Sequence, residues 1–279
     1  MSEDLSMAGG AGSRSMIAEY RIESRIGDGR TGTVYRARDQ RRDRLVALKV
    51  LAPQWAADME FRLRFTAESR AAAAVGNPCI LPVYEAAEDA GVLFTAMLLV
   101  SGPDAETFVS QERMLPPARA LELLSPVASA LDAAHRAGLV HRDVRPGNIL
   151  IDQRPGQADR VYLTGFGLSP RVALAGLADP GDEPCDAPGH DLGPARYLSP
   201  EQARGDILGA RSDQYSLACV AVRLLTGRVP AGPEDLGDLA DQSPVLPAAA
   251  VSLIARAMAT TPLERYPACQ DFTEALRGA

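Results

Sequence analysis

Short strand-like runs bounded by turn residues fill much of residues 20–100 around a single helical stretch, and beyond 101 apolar residues recur mainly at helical spacing. That change of period limits the chain to a fold in which strands and helices are kept apart, the α+β class. Strand text at 20–26, 33–39 and 45–51, joined by a glycine-rich turn and by the charged turn at 40–44, predicts an antiparallel meander. Residues 58–75, with Phe61, Phe65, Ala72 and Val75 near helical spacing, predict one main helix, and strands at 81–88 and 92–100 complete a five-stranded sheet. Beyond 101 the pattern turns helical: 116–136, opened by Pro116 and Pro117 and closed at Gly138, with Pro126 expected to kink or interrupt it. A Gly-, Pro- and Asp-rich loop is expected over 176–194, then helices around 201 and over 213–226, 247–258 and 267–276. The chain therefore reads as a disordered leader at 1–16 and one domain over 17–279, with a small β-rich lobe at about 17–100 and a larger helical lobe at about 101–279.

Composition excludes several classes. With 46% hydrophobic and 23% charged residues, the chain is an ordinary globular protein. A net charge of -7 argues against a face that tracks nucleic-acid phosphates. Cys79, Cys185, Cys219 and Cys269 are widely spaced and only three histidines are present, so neither a zinc site nor a disulfide framework is expected. The longest apolar run, 217–225, is broken by Arg223, and Glu3 and Asp4 stand where a signal peptide carries positive charge. The expectation is a cytoplasmic protein, free rather than excised from a longer one.

Three blocks carry chemistry. Gly27-Asp28-Gly29-Arg30-Thr31-Gly32-Thr33-Val34 is a G-x-G-x-x-G-x-V turn between two strands, whose amides can lie over phosphates because no side chain intervenes. Alone it is an ordinary hairpin. The next strand carries Val46-Ala47-Leu48-Lys49, the pattern in which a lysine reaches the α- and β-phosphates of ATP, and Glu68 lies mid-helix where it can hold that lysine. The third block, running from His141-Arg142-Asp143 to Asn148, fits H-R-D-x-x-x-x-N.

Together these blocks resemble a bacterial Ser/Thr protein kinase domain of the eukaryotic-like type, over about residues 20–276. The resemblance implies a bilobal kinase-like fold, ATP as cofactor, Asp143 as base, and Arg145 and Asn148 beside it, with Asn148 also a metal ligand. It makes Met97 the gatekeeper and 98–100 the hinge, with Val100 against the nucleotide. It also implies that Ser199-Pro200-Glu201 ends the activation segment, that Asp213 braces the catalytic loop and that Arg265 pairs with Glu201.

The departures are as informative. Gly165-Phe166-Gly167 stands where the family carries Asp-Phe-Gly, and glycine supplies no oxygen for the Mg²⁺ that bridges the phosphates. Asn148 alone, a neutral amide, is a poor substitute. If this loss matches that of an arginine finger, the rate falls by roughly 10³- to 10⁵-fold. Arg145 replaces the usual catalytic-loop lysine, and Pro194 replaces a threonine hydroxyl that would contact the catalytic aspartate. Ser169 is the one hydroxyl in the segment 169–196 short of Tyr197, so autophosphorylation has little to act on, and Arg142 lacks a phosphate partner. Asp179, Asp182, Glu183, Asp186 or Asp191 would then pair with Arg142 as a fixed phosphate mimic, against the plainer reading of a solvated loop.

One compositional fact points the other way. Of 29 cationic residues, 28 are arginine and only Lys49 is lysine. Arginine is too large to sit between Glu68 and phosphates, so the surviving ammonium implies retained nucleotide binding. Two readings stand: a pseudokinase that binds nucleotide weakly, with doubtful use of Mg²⁺, and serves an unidentified protein partner; or an active Ser/Thr kinase with non-standard metal coordination. A third, transfer of another part of the nucleotide, has no specific support.

Overall fold

The computed structural model describes residues 15–29, 31–154, 156–167, 194–243, 246 and 248–279. The chain divides into two compact units, one of 1–73 with 82–99 and one of 74–81 with 100–279.

The first unit is built on six antiparallel strands: β1 (Met16–Ile17), β2 (Tyr20–Gly29), β3 (Gly32–Asp39), β4 (Arg44–Leu51), β5 (Val83–Asp89) and β6 (Val92–Leu98). They lie in the order β1-β2-β3-β4-β6-β5. The five expected strands are all present. The sheet has six because the two-residue β1, too short for any periodicity to show, pairs Met16 with Arg21 and Ile17 with Tyr20. Between β4 and β5 run α1 (Pro53–Ala57) and α2 (Met59–Ala74), the latter with Phe61, Phe65, Ser69 and Ala72 buried.

Period-two alternation gives this sheet two different faces. On one, Ile17, Tyr20, Tyr35, Ala37, Val46, Leu48, Val50, Phe94 and Ala96 form a closed apolar core. Tyr20 meets Phe94 edge-on at 5.6 Å, and its hydroxyl donates to Glu85 at 2.7 Å. The other face carries the intervening residues, Val34, Ala47, Lys49, Thr95 and Met97 among them.

The second unit consists of α3 (Ala105–Glu112), α4 (Pro117–Arg136), the hairpin β7 (Ile149–Asp152) and β8 (Arg160–Leu163), then α5 (Pro200–Arg204), α6 (Ala210–Thr226), α7 (Leu236–Gln242), α8 (Ala248–Ala257) and α9 (Cys269–Arg277). α4 packs against α6, α9 and β8. α4 runs unbroken through Pro126, contrary to the expected interruption. The carbonyl that proline leaves without a donor belongs to the exposed Glu122, where water can take the bond. Beyond its end, Gly138 sits at φ +76° and its N–H returns to the His135 carbonyl, as a glycine after a helix terminus does. α3 was not anticipated; Asp104 caps it by accepting from the Thr107 N–H at 2.7 Å. No helix among the described residues is long and apolar enough to cross a membrane.

Candidate functional site

In the first unit the turn between β2 and β3 carries the three glycines, with Gly27 opposite Val34, Asp28 opposite Thr33 and Gly29 opposite Gly32. The Thr33 hydroxyl donates to Asp28 at 2.9 Å, and Arg25 forms an ion pair with the same carboxylate. The fold itself requires Gly32: its φ is +148°, and a Cβ there would lie 2.0 Å from the Val50 carbonyl oxygen on β4. Gly27 and Gly29 answer to no such demand. A Cβ at Gly27 would meet nothing within 4 Å, and one at Gly29 only the Gly32 carbonyl oxygen at 3.8 Å. Open backbone that folding does not require is what a phosphate cradle needs.

Next to the turn, cross-strand pairing sets the sequence-chosen residues, together with Thr95, in two rows on one face. Gly27, Val34, Lys49 and Thr95 form one row; Ala47 opposite Met97 forms the other. Ala47 and Met97 are buried, whereas Val34 and Lys49 are half-buried. Glu68, also half-buried, lies on α2 in the same unit. Thr95 was missed by sequence reasoning. Its signal, a single hydroxyl in the otherwise apolar text of β6, is also what ordinary strand propensity produces.

The second group belongs to the second unit, where Val100 is also placed. β7 and β8 pair Ile149 with Leu163, and the Thr164 N–H donates to the Asn148 carbonyl at 2.9 Å. The hairpin therefore sets Asn148 and Gly165 side by side. Gly165 has φ +101°, and a Cβ there would fall 3.2 Å from the Asn148 amide nitrogen and 3.3 Å from its oxygen. The Asn148 NH₂ group donates to the Asp143 backbone carbonyl at 2.7 Å and to Asp143 Oδ2 at 2.8 Å. Asp143 Oδ1 faces Arg145 Nε at 3.4 Å.

Asp143 is held from beneath. His141 Nε2 is 2.9 Å from the Thr164 carbonyl, which can only accept, so Nε2 carries the hydrogen and Nδ1 accepts the Asp143 N–H at 3.2 Å. Burial pushes the His141 pKa down, in keeping with this neutral form, and the ring meets Phe166 edge-on at 4.5 Å. Asp213, 1% exposed, accepts from the His141 N–H at 2.8 Å, from the Arg142 N–H at 2.8 Å and from His135 Nε2 at 2.7 Å. Arg142 is kept at φ +69°, its carbonyl taken by Gln202 at 2.6 Å. The pair expected between Glu201 and Arg265 is present and bidentate at 2.7 and 2.9 Å. Burial opposes charge on Glu201, but hydrogen bonds from Arg265, its own backbone and Ser212 outweigh it and hold the pKa at about 2. The acidic residues proposed to pair with Arg142, the Ser169 hydroxyl and the leader before 15 lie outside the described residues; Pro194 begins a 3-10 turn ending at Tyr197.

The donors beside Gly165 are a poor set for a divalent cation. Beside Gly165 there is one amide oxygen, from Asn148, whose NH₂ group is committed to Asp143, and the Asp143 carboxylate already faces Arg145 as well. Among the described residues, Asp132, His135 and Cys269 also cluster. There both Asp132 oxygens accept the first amides of α9, at 2.8 and 2.9 Å, and burial drives the Cys269 thiol upward, which makes the cluster a helix cap rather than a metal centre.

Comparison with known proteins agrees with the fold. The chain is 36% identical to the serine/threonine-protein kinase PknJ of Mycobacterium tuberculosis, over 95% of this chain and 46% of that protein. It is 34% identical to PknE of the same organism, over 98% and 48%. It thus spans about half the length of the curated relatives it matches. The crystal structure of the M. tuberculosis PknI kinase domain superposes with a TM-score of 0.76 at 31% identity, covering 97% of this chain and 99% of that one. Residues 20–271 match the protein-family model of the protein kinase domain, and the chain belongs to that family.

Proposed function

We propose that this Ser/Thr kinase-like domain binds ATP through Gly27, Gly29, Gly32, Val34, Ala47, Lys49, Glu68, Met97 and Val100, transfers phosphate poorly, and acts as a regulatory module read by a protein partner. The observation that carries this reading is the Gly165–Asn148–Asp143 arrangement. The aspartate that would clamp the metal is absent, the backbone at Gly165 lies at φ +101°, and the Asn148 amide donates to the Asp143 backbone carbonyl and carboxylate. An acceptor already hydrogen-bonded is a weaker base, and the charge developing on the phosphates meets no dication held by the missing carboxylate. Nucleotide binding rests on different residues, the open glycines and the lone lysine, and survives that loss. A bound nucleotide would favour one conformation of the domain, which a partner can recognise. The free thiols of Cys79, Cys219 and Cys269 support a cytoplasmic location.

The second reading, an active kinase with unusual metal coordination, is favoured by the retained Asp143 and by the names of the relatives as kinases. One preparation separates the two. ATP-induced thermal stabilisation is measured with and without Mg²⁺, alongside transfer of radiolabelled phosphate. Stabilisation without magnesium and no transfer supports the regulatory reading. Transfer that requires both a divalent metal and Asp143 overturns it.

A further inference from the structure

The sheet face that carries Val34, Ala47 and Lys49 continues along β3 into arginine. Arg36 is directly opposite Ala47 on β4 and Ser24 on β2, and Arg38 is directly opposite Leu45 and Arg21. Opposed residues on neighbouring strands share a face, so Arg21, Arg36 and Arg38 form one patch beside the row of Ala47 and Met97. At the bulge between Ile22 and Ser24, Glu23 meets all three: its oxygens accept from Arg36 Nε at 3.1 Å and Arg38 Nε at 3.3 Å, with Arg21 at 4.0 Å. The Arg36 hydrogen bond leads in holding the Glu23 pKa below the usual carboxylate range, so this residue is a resident anion. Arg38 also donates to Asp43 at 2.9 Å.

Charge in the patch is unbalanced. Arg21 and Arg38 are like charges set directly opposite one another, which costs stability, and among the described residues Arg21 and Arg36 contact no carboxylate but Glu23. The three side chains stay open to solvent, at 53%, 46% and 33% exposure. Residues 19–44 hold eight arginines and five carboxylates, an excess of positive charge in a chain whose net charge is -7. Such a field steers an anionic partner to this face. The spacing says which kind. Arg36 and Arg38 are alternate residues of one strand, about 7 Å apart, which is the repeat of alternate side chains in an extended peptide. Guanidinium forks match carboxylates, and Glu23 occupies only Nε of Arg36. We propose that this patch docks an extended acidic segment of a protein partner, with carboxylates at alternate positions meeting Arg36 and Arg38 while Arg21 closes on them from β2. This rests on the reading of the domain as a module read by a partner, and it sets that partner on the same face as the residues assigned to nucleotide.

The test is fluorescence anisotropy with three labelled synthetic peptides: glutamate alternating with threonine, the same composition with the glutamates contiguous, and phosphoserine in place of the alternating glutamates. Wild type should bind the alternating peptide about tenfold more tightly than the contiguous one. The double variant Arg36→Gln with Arg38→Gln should lose about tenfold or more, and Glu23→Gln should gain severalfold because it frees the forks. That gain separates a docking surface from scaffold, since losing a structural ion pair does not improve binding. The proposal is overturned if wild type binds no peptide, if the double variant binds as well as wild type, or if the two glutamate peptides bind alike. Tighter binding of the phosphoserine peptide overturns the carboxylate assignment in favour of a phosphorylated partner. Thermal shift with ATP on the same preparation keeps the two readings apart. ATP stabilisation without peptide binding removes this surface alone, whereas peptide binding without ATP stabilisation upholds the surface and removes the nucleotide half of the proposed function.

Discussion

The side-chain amide of Asn148 donates to the Asp143 carboxylate at 2.8 Å and to the Asp143 backbone carbonyl at 2.7 Å, while a Cβ on Gly165 would fall 3.2 Å from the same nitrogen. A side chain at position 165 would therefore press directly on the Asn148 amide.

Restoring the family residue should therefore fail as a repair. Gly165→Asp puts a side chain at φ +101°, outside the regions such residues favour, and forces the Asn148 amide to move. The expected cost is about 1 to 3 kcal/mol of stability, read from urea unfolding, with no gain in radiolabel transfer. A stable variant with restored transfer would show that the carboxylate was the only missing part.

The glycines of the first turn should separate by role. Gly32→Ala meets the Val50 carbonyl and a positive φ, and should lower the melting temperature sharply. Gly27→Ala has open space around it and should melt like wild type, yet weaken ATP binding severalfold by covering the backbone. Equal effects of both on melting would mean that Gly27 is scaffold.

Lys49→Met should abolish the ATP-induced rise in melting temperature, because no other lysine exists in the chain to meet the phosphates. An undiminished rise would move nucleotide recognition elsewhere.

The buried Glu201–Arg265 pair should govern acid stability. The folded pKa of Glu201 is about 2, below the 4.5 of the free side chain, so its contribution is fully present above pH 4.5 and is lost as pH falls from there toward 2. The shift corresponds to something on the order of 3 kcal/mol. Glu201→Gln should be destabilised at pH 7, by about 3 to 5 kcal/mol for a broken buried pair, and should show a flatter stability profile between pH 4.5 and 3 than wild type. Parallel profiles would assign the acid transition to other carboxylates.

Asp213 supports the catalytic loop through backbone hydrogen bonds rather than through a ligand. Asp213→Asn keeps the shape but replaces one acceptor oxygen with a donor, facing the His141 N–H or the Arg142 N–H. Amide exchange at 141 and 142 should accelerate by one to two orders of magnitude, ahead of exchange in α4. Unchanged protection would place the anchoring of the loop in Gln202 instead.

What the sequence revealed depended on how local the signal was. Strand alternation and the spacing from Asp143 to Asn148 are properties of short segments, and both appear in the structure where expected. α3 was overlooked although Asp104 and Thr107 form an ordinary cap, because eight residues give little periodicity. The inferred interruption at Pro126 is absent, because burial of Leu123, Leu124, Val127 and Ala128 holds α4 continuous through the proline. Neither the hydrogen bonds from Asn148 to Asp143 nor the orphan hydroxyl of Thr95 could be read beforehand. Each is a relation between residues brought together by strand pairing, and a lone asparagine or threonine carries no mark of it.

The two faces of β4 have a further consequence. Val46, Leu48 and Val50 feed the apolar core while Ala47 and Lys49 face the other way, so a slip of one residue in pairing would exchange the two sets. A misregistered chain would push its sole ammonium into a core of Ile17, Tyr20 and Phe94 and leave valines and leucine where phosphates should meet charge. Such a chain would be unstable and would lack the proposed nucleotide site, so under that proposal only correctly paired molecules could bind ATP.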